Sequence, residues 1–226
     1  NGDAGQITEE QKQFVTEAYK GAGRMVDLVN ALLNVARIEA GTFMVDPVPV
    51  NLVQIARSVL DELKLQIDDK RQMVSLEKDD LPEIMLDVQL TRIILQNLLT
   101  NAVKYTPEGG KITIYLRKLA TGTQIGQNLY LERDHFLIQV TDNGLGIPTN
   151  DRKHIFDKLY RATNVMKSDT EGTGLGLYII KSIVDQSNGY IWFSSQEGNG
   201  SSFYVVLPLS GMLKKTGSRK IESVIQ

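Results

Sequence analysis

Residues 97–105 read Asn97-Leu98-Leu99-Thr100-Asn101-Ala102-Val103-Lys104-Tyr105, an apolar helical stretch that carries two carboxamides four positions apart. At 3.6 residues per turn both amides fall on one helix face. Amides in an otherwise apolar helix need a purpose. Neutral oxygens one turn apart suit a hard cation such as Mg²⁺, which takes few protein ligands beside phosphate oxygens. Lys104 and Tyr105 continue the same edge. The two amides would equally suit local backbone capping or contact with solvent, so the reading turns on what surrounds them.

Downstream, residues 129–141 alternate through Phe136, Ile138 and Val140 with the period of a strand. The strand runs into Asp142-Asn143-Gly144-Leu145-Gly146-Ile147-Pro148. A carboxylate at a strand end can accept a hydrogen bond from the exocyclic amine of a base, and glycines let backbone approach a ligand. Asp-Asn-Gly is equally a good turn. Further on, Glu171-Gly172-Thr173-Gly174-Leu175-Gly176-Leu177 leads into a predicted helix over 173–186. Glycines before a helix N-terminus offer exposed amides and a favourable dipole to phosphates, or simply permit close helix packing. The spacing is neither the dinucleotide Gly-x-Gly-x-x-Gly nor the Walker Gly-x-x-x-x-Gly-Lys-Ser/Thr pattern. Last comes Gly198-Asn199-Gly200-Ser201-Ser202-Phe203, a turn before a closing strand at 202–207.

Around these segments the pattern predicts helices at 51–67 and 87–104, and strands at 72–76, 84–86, 111–119 and 190–195. A polar loop at 120–128 closes a hairpin. Helices and strands mix without strict alternation, which argues for α+β rather than a doubly wound sheet. Ahead of them lies a long helix. Thr8 offers a capping hydroxyl, and Glu9 and Glu10 complement the positive end of the dipole. Val15, Ala18, Ala22, Met25, Val29, Leu32 and Ala36 occupy a and d positions of a heptad, flanked by a second stripe of Phe14, Gly21, Leu28 and Val35. So wide a stripe suits a four-helix bundle better than a two-stranded coil, although a core helix of one globular domain would show it too. Gly41 is the natural stop, and Pro47 and Pro49 mark a boundary near residue 46. The expected organisation is a helical unit at 1–45, a mixed domain at 46–210 and a flexible basic tail at 211–226 containing Lys214, Lys215, Arg219 and Lys220.

Composition bounds the function. The 226 residues include 42% hydrophobic and 23% charged side chains, which is ordinary for a globular chain and excludes disorder as its main state. Zero cysteines exclude a disulfide scaffold, a thiolate zinc site and a cysteine nucleophile, and two histidines exclude a multi-histidine metal cage. A net charge of -2 argues against non-specific nucleic-acid binding, so any phosphate must be gripped locally. No apolar run approaches the roughly 18 residues of a membrane span, and the opening residues show no signal-peptide pattern. The opening Asn1-Gly2-Asp3-Ala4-Gly5 reads as a turn and the chain as an excised fragment with a partner element upstream.

In order and spacing, these segments together resemble the ATP-binding domain of sensor histidine kinases. Residues 97–105 look like the family's N box, 142–146 its G1 box, Ile155-Phe156-Asp157-Lys158-Leu159-Tyr160-Arg161 its F box, 172–176 its G2 box and 198–200 its final glycine box. The stretch from Leu32 to Gly41 is similar to the second helix of the dimerisation and histidine-phosphotransfer hairpin.

The resemblance implies a Bergerat α/β sandwich of the GHKL superfamily, a mixed sheet packed on three helices, preceded by a long helix of a four-helix-bundle dimerisation domain. It implies that Asp142 receives the adenine amino group, Tyr105 lies against base or ribose, and Asn97 and Asn101 hold Mg²⁺ on the phosphates of ATP. Lys104 and Arg161 would offset phosphate charge, Gly172, Gly174 and Gly176 would cradle the triphosphate, and residues 150–171 would form a mobile lid. Gly144, Gly146, Ile147, Tyr160, Thr173, Leu175, Leu177 and Ser202 complete the implied nucleotide contacts. Asn97, Lys104 and Arg161 are the implied catalytic set for phosphoryl transfer to a histidine on a dimerisation helix ahead of residue 1. His135 and His154 lack the helical context of such an acceptor and read as packing or surface residues. The implied partners are a response-regulator receiver domain and a second copy joined through the first helix. The implied location is the cytoplasm, with membrane attachment only through upstream segments. A neutral amide at Asn97, where gyrase-type relatives place a glutamate base, implies slow intrinsic ATP hydrolysis. Another GHKL ATPase, a serine-directed anti-sigma kinase or a nucleotide-free interaction module are the alternatives.

Overall fold

A computed structural model describes residues 5, 7–40, 44–126, 129–167 and 172–215. The expected stop at Gly41, the last residues of the expected lid with Glu171, and the basic residues Arg219 and Lys220 lie outside them.

Helix α1 spans Glu9–Glu39 and starts as the sequence directs. Thr8 Oγ1 accepts from the Gln11 amide while Gln11 Oε1 accepts from the Thr8 amide, a reciprocal capping box that satisfies two backbone donors. Most of the heptad face is uncovered among the described residues: Val15, Met25, Val29 and Leu32 are 61%, 64%, 54% and 42% exposed. Only its last turns reach the rest of the molecule, where Val35 is buried.

The remainder is a two-layer sandwich. Five strands in the order β2 (Met73–Lys78), β4 (Lys111–Leu119), β7 (His135–Asp142), β9 (Gly200–Pro208) and β8 (Tyr190–Gln196) form a mixed sheet, parallel only between β2 and β4. Helices α2 (Leu52–Asp69), α3 (Val88–Tyr105) and α5 (Gly176–Gln186) cover one face. Strand alternation divides the two sides. Phe136, Ile138 and Val140 of β7 point to the helices and join Ile112, Ile114 and Leu116 of β4 in the core, while Leu137 points the other way. Full burial of each such side chain contributes about 1.5–3 kcal/mol, so this layer contact carries the fold. A short antiparallel pair, β1 (Val48–Val50) with β3 (Ile84–Leu86), closes one edge.

Three expectations change. The strand expected at 129–141 is broken at 131–134: its first residues form β6 (Leu129–Tyr130) and pair with β5 (Gln124–Gly126), within the loop expected at 120–128. The cause is local. The Asp134 carboxylate accepts from the amide and hydroxyl of Thr121, while Leu131 is drawn into a small cluster with Leu137, Val206, Trp192 and Tyr204 on the outer sheet face. Within 162–170, where no apolar periodicity exists, a short helix α4 (Thr163–Lys167) forms. The chain past Gly211, expected to fray, stays attached as far as Lys215. The Met212 amide donates to the Met85 carbonyl, Val45 and Lys215 exchange backbone bonds, and Met212 is buried.

Candidate functional site

Helix α3 is pinned at both ends, which fixes where its amides point. Asp87 caps the start by accepting from the Leu90 amide. At the other end Lys70 Nζ donates to the carbonyls of Val103 and Lys104, both at 2.8 Å, and Thr106, and Gln72 Nε2 adds bonds to Val103 and Thr106. A buried-side ammonium on the last carbonyls satisfies orphan acceptors and complements the negative end of the dipole. Burial pushes the Lys70 pKa down.

Asn97, Asn101, Lys104 and Tyr105 all line one cleft of about 950 Å³ between α3, α5 and residues of 155–165 and 172–174. The Asn97 amide nitrogen donates to the Ile93 carbonyl at 2.8 Å, which turns its oxygen outward toward the start of α5. A Cβ built on Gly176 would stand 2.5 Å from that oxygen, so a side chain there would displace the Asn97 amide from its place beside α5. Helix α5 has no side-chain cap, and its first residues Gly176 and Leu177 line the cleft, so the positive end of its dipole faces it. Lys104 Nζ lies 5.2 Å over the Tyr105 ring and would meet a Cβ on Gly172 at 2.9 Å. Burial raises the Tyr105 pKa against the lowering effect of the Arg161 charge across the cleft, so at neutral pH its phenol keeps its proton.

At the opposite wall Asp142 ends β7. Its Oδ1 accepts from the amides of Gly144 at 2.8 Å and Ser201 at 3.3 Å. Burial raises this carboxyl's pKa above the ordinary carboxylate value, and the two amides pull it back. The glycines beside it serve chain packing: a side chain at Gly144 or Gly146 would strike the Tyr105 or Gln196 carbonyl, and one at Gly200 would strike the Asp142 carbonyl. Gly200, at φ +88, therefore lets the β8–β9 turn press on the strand end that carries Asp142.

The segment 149–162 is built of turns, and its base is tied to the cleft floor: Asn164 Nδ2 donates to the Gly146 carbonyl and Ser195 Oγ accepts from the Ile147 amide. Tyr160, Arg161, Ala162 and Val165 line the cleft with Thr173 and Gly174. His135 is buried with Nδ1 2.7 Å from the Arg133 carbonyl, and His154 Nδ1 sits 2.7 Å from Asp157 Oδ2, so both histidines have packing or surface partners.

Of the residues anticipated from sequence, Asn97, Asn101, Lys104, Tyr105, Asp142, Gly146, Ile147, Tyr160, Arg161, Gly172, Thr173, Gly174, Gly176 and Leu177 line this cleft. Gly144 is buried behind Asp142, and Leu175 lies in the hydrophobic core. Ser202 bonds to Thr141 Oγ1 at 2.9 Å and faces a neighbouring polar hollow that also contains Arg152 and Ser194, whereas its neighbour Ser201 lines both that hollow and the cleft. The one-residue difference follows from strand alternation. Leu28 and Ala31 of α1, Gln66 of α2 and the buried Asp151 had no sequence signal. Only the packing of α1 on α5 and the turn at 148–151 could reveal them.

The sequence and its fold resemble known proteins. The family model for histidine kinase-, DNA gyrase B-, and HSP90-like ATPases matches residues 86–211, and the chain belongs to that family. It is 29% identical over 218 residues to the circadian input-output histidine kinase CikA of Synechococcus elongatus, covering 95% of this chain and 27% of CikA. It is 32% identical over 206 residues to the sensor protein GacS of Pseudomonas syringae, covering 90% of this chain and 22% of GacS. Sensor histidine kinase WalK of Bacillus subtilis is 29% identical over 196 residues, 87% of this chain and 30% of WalK. The chain therefore spans under a third of the length of these curated relatives. Among solved structures, full-length ShkA in complex with AMPPNP superposes with a TM-score of 0.71 at 24% identity, covering 95% of this chain and 41% of that one. The catalytic domain of histidine kinase ThkA superposes with a TM-score of 0.58 at 26% identity, covering 73% of this chain and 96% of that domain.

Proposed function

We propose that this chain binds Mg²⁺·ATP in the cleft between α3, α5 and residues 155–165 and 172–174, and delivers its γ-phosphoryl group to a histidine imidazole, as the catalytic part of a sensor histidine kinase. The observation that carries the reading is the convergence, on one cleft, of the acid Asp142, the amides Asn97 and Asn101, the cations Lys104 and Arg161 and an uncapped helix N-terminus. The donor set suits magnesium: two neutral carboxamide oxygens one turn apart, and no cluster of three or more His, Cys, Asp or Glu residues among the described residues to favour a protein-only cage. Asn97 and Asn101 would hold the ion, which when bound neutralises phosphate charge. Asp142 orients the adenine by accepting its amino hydrogen. Lys104 and Arg161 draw negative charge from the oxygens of the transferring group, and the α5 amides hold the phosphates. The chemistry is positioning and charge neutralisation, with the phosphorus–oxygen bond to ADP breaking as the bond to the imidazole nitrogen forms.

Asn97 favours a kinase over a hydrolase, because an amide cannot take a proton from water. The acceptor is a histidine of a dimerisation helix, followed by relay to a receiver-domain aspartate of a response regulator. The exposed heptad face of α1 fits a homodimer of the parent protein. No helix among the described residues is long and apolar enough to cross a membrane, and a cytoplasmic location suits an ATP-consuming kinase. Isothermal titration with Mg²⁺·AMPPNP, followed by incubation with ATP and a histidine-bearing dimerisation helix, tests the reading. The expected result is saturable binding that weakens on chelating Mg²⁺, slow hydrolysis alone and acid-labile phosphohistidine on the added helix. Absence of binding, or gyrase-like turnover without the acceptor, overturns it.

A further inference from the structure

Asp151 is 4% exposed, yet no role in nucleotide contact falls to it, because it does not line the cleft. Its two carboxylate oxygens are nonetheless fully engaged. Oδ1 accepts from the Tyr160 hydroxyl at 2.7 Å, and Oδ2 accepts from both the amide and the hydroxyl of Thr163 at 2.7 and 2.8 Å. Its own amide donates to the Pro148 carbonyl, which ties the carboxylate to the loop that follows Asp142. The acceptors and donors therefore bracket Arg161: the residue before it and the second residue after it are both fastened to one buried anion.

We propose that Asp151 is the positioning residue for the triphosphate end of the cleft, clamping Tyr160 and Thr163 so that Arg161 between them is held at the cleft wall. The inference rests on the nucleotide reading of the site and adds a part to it. The physical case is one of entropy and geometry. Residues 149–162 have no helix or strand ladder to fix their backbone, and a freely moving segment would have to be ordered at the moment of binding. Charge-assisted bonds to a buried carboxylate are short and strong, and here they order the segment beforehand. The same carboxylate begins α4 by accepting from its first amide, which explains why a short helix forms where the sequence has no apolar period.

The clamp acts on the phosphate end, so its loss separates two ligands that share an adenine. For Asp151→Ala, titration calorimetry is expected to show Mg²⁺·AMPPNP affinity reduced about tenfold, the worth of one charge-assisted bond, with adenosine affinity changed less than about twofold. Asp151→Asn keeps the shape but presents an amide nitrogen to at least one of the donors, and is expected to show the same split. Tyr160→Phe combined with Thr163→Val removes the clamped groups while leaving Asp151 in place and is the second route should Asp151 variants fold poorly. Equal loss of both ligands, or loss of neither, in whichever of these variants unfolds cooperatively, overturns the assignment. A wild-type protein that binds neither ligand refutes the nucleotide site itself, which is a different and distinguishable failure.

Discussion

Asp142 holds opposing demands within one side chain. Burial favours its protonated form, and two backbone amides partly restore the charged one. Because the folded pKa is raised, this carboxyl contributes most to stability below its unfolded range near about pH 4 and loses that contribution as pH rises through the elevated folded value. At neutral pH its charge therefore works against folding. The charged carboxylate is the stronger acceptor for an adenine amino hydrogen, so nucleotide affinity is expected to fall as pH is lowered through the raised pKa. Asp142→Asn is expected to melt no lower than wild type at pH 7 while binding Mg²⁺·AMPPNP about tenfold or more weakly. Differential scanning fluorimetry and calorimetry on one preparation check both halves. Unchanged affinity would remove Asp142 from the adenine contact.

At the scale of elements, α3 supplies the amides, and its C-terminal cap is made by residues distant in sequence. Lys70 Nζ reaches three carbonyls in the turn that carries Lys104 and Tyr105. Lys70→Met keeps the aliphatic stem but leaves those acceptors with fewer partners, and is expected to cost about 1–3 kcal/mol, read as a lowered urea midpoint at unchanged slope. Fraying of the same turn should weaken nucleotide binding as well. An unaltered midpoint would mean that Gln72 alone suffices as the cap.

At the scale of the molecule, α1 meets the ATPase-family sandwich at one end and leaves the rest of its apolar face open. Val35 is buried, Lys158 Nζ lies 2.9 Å from Glu39, and the Tyr178 hydroxyl donates to the same carboxylate. These polar contacts are exposed and screened by solvent, so the apolar contact carries more of the attachment. The open face is expected to drive self-association. Sedimentation equilibrium should show a concentration-dependent dimer that Val29→Glu with Leu32→Glu abolishes, with the melting of the sandwich unchanged. Monomeric wild-type protein at all concentrations would count against the homodimer.

Sequence alone determined most of the elements. Apolar periods placed α2, α3, β3, β4 and α5 near their observed bounds, and Asn97, Asn101, Asp142, Gly172, Gly174 and Gly176, singled out in the sequence, line one cleft, because helix face and strand end follow directly from residue period. The break in the strand at 131–134, the helix at Thr163–Lys167 and the engagement of Asp151 were decided only by tertiary structure. Each depends on a hydrogen bond or an apolar contact between residues that local pattern does not relate. Which side chain a buried acid clamps, and which strand face meets a cleft, is fixed by how the layers close on one another.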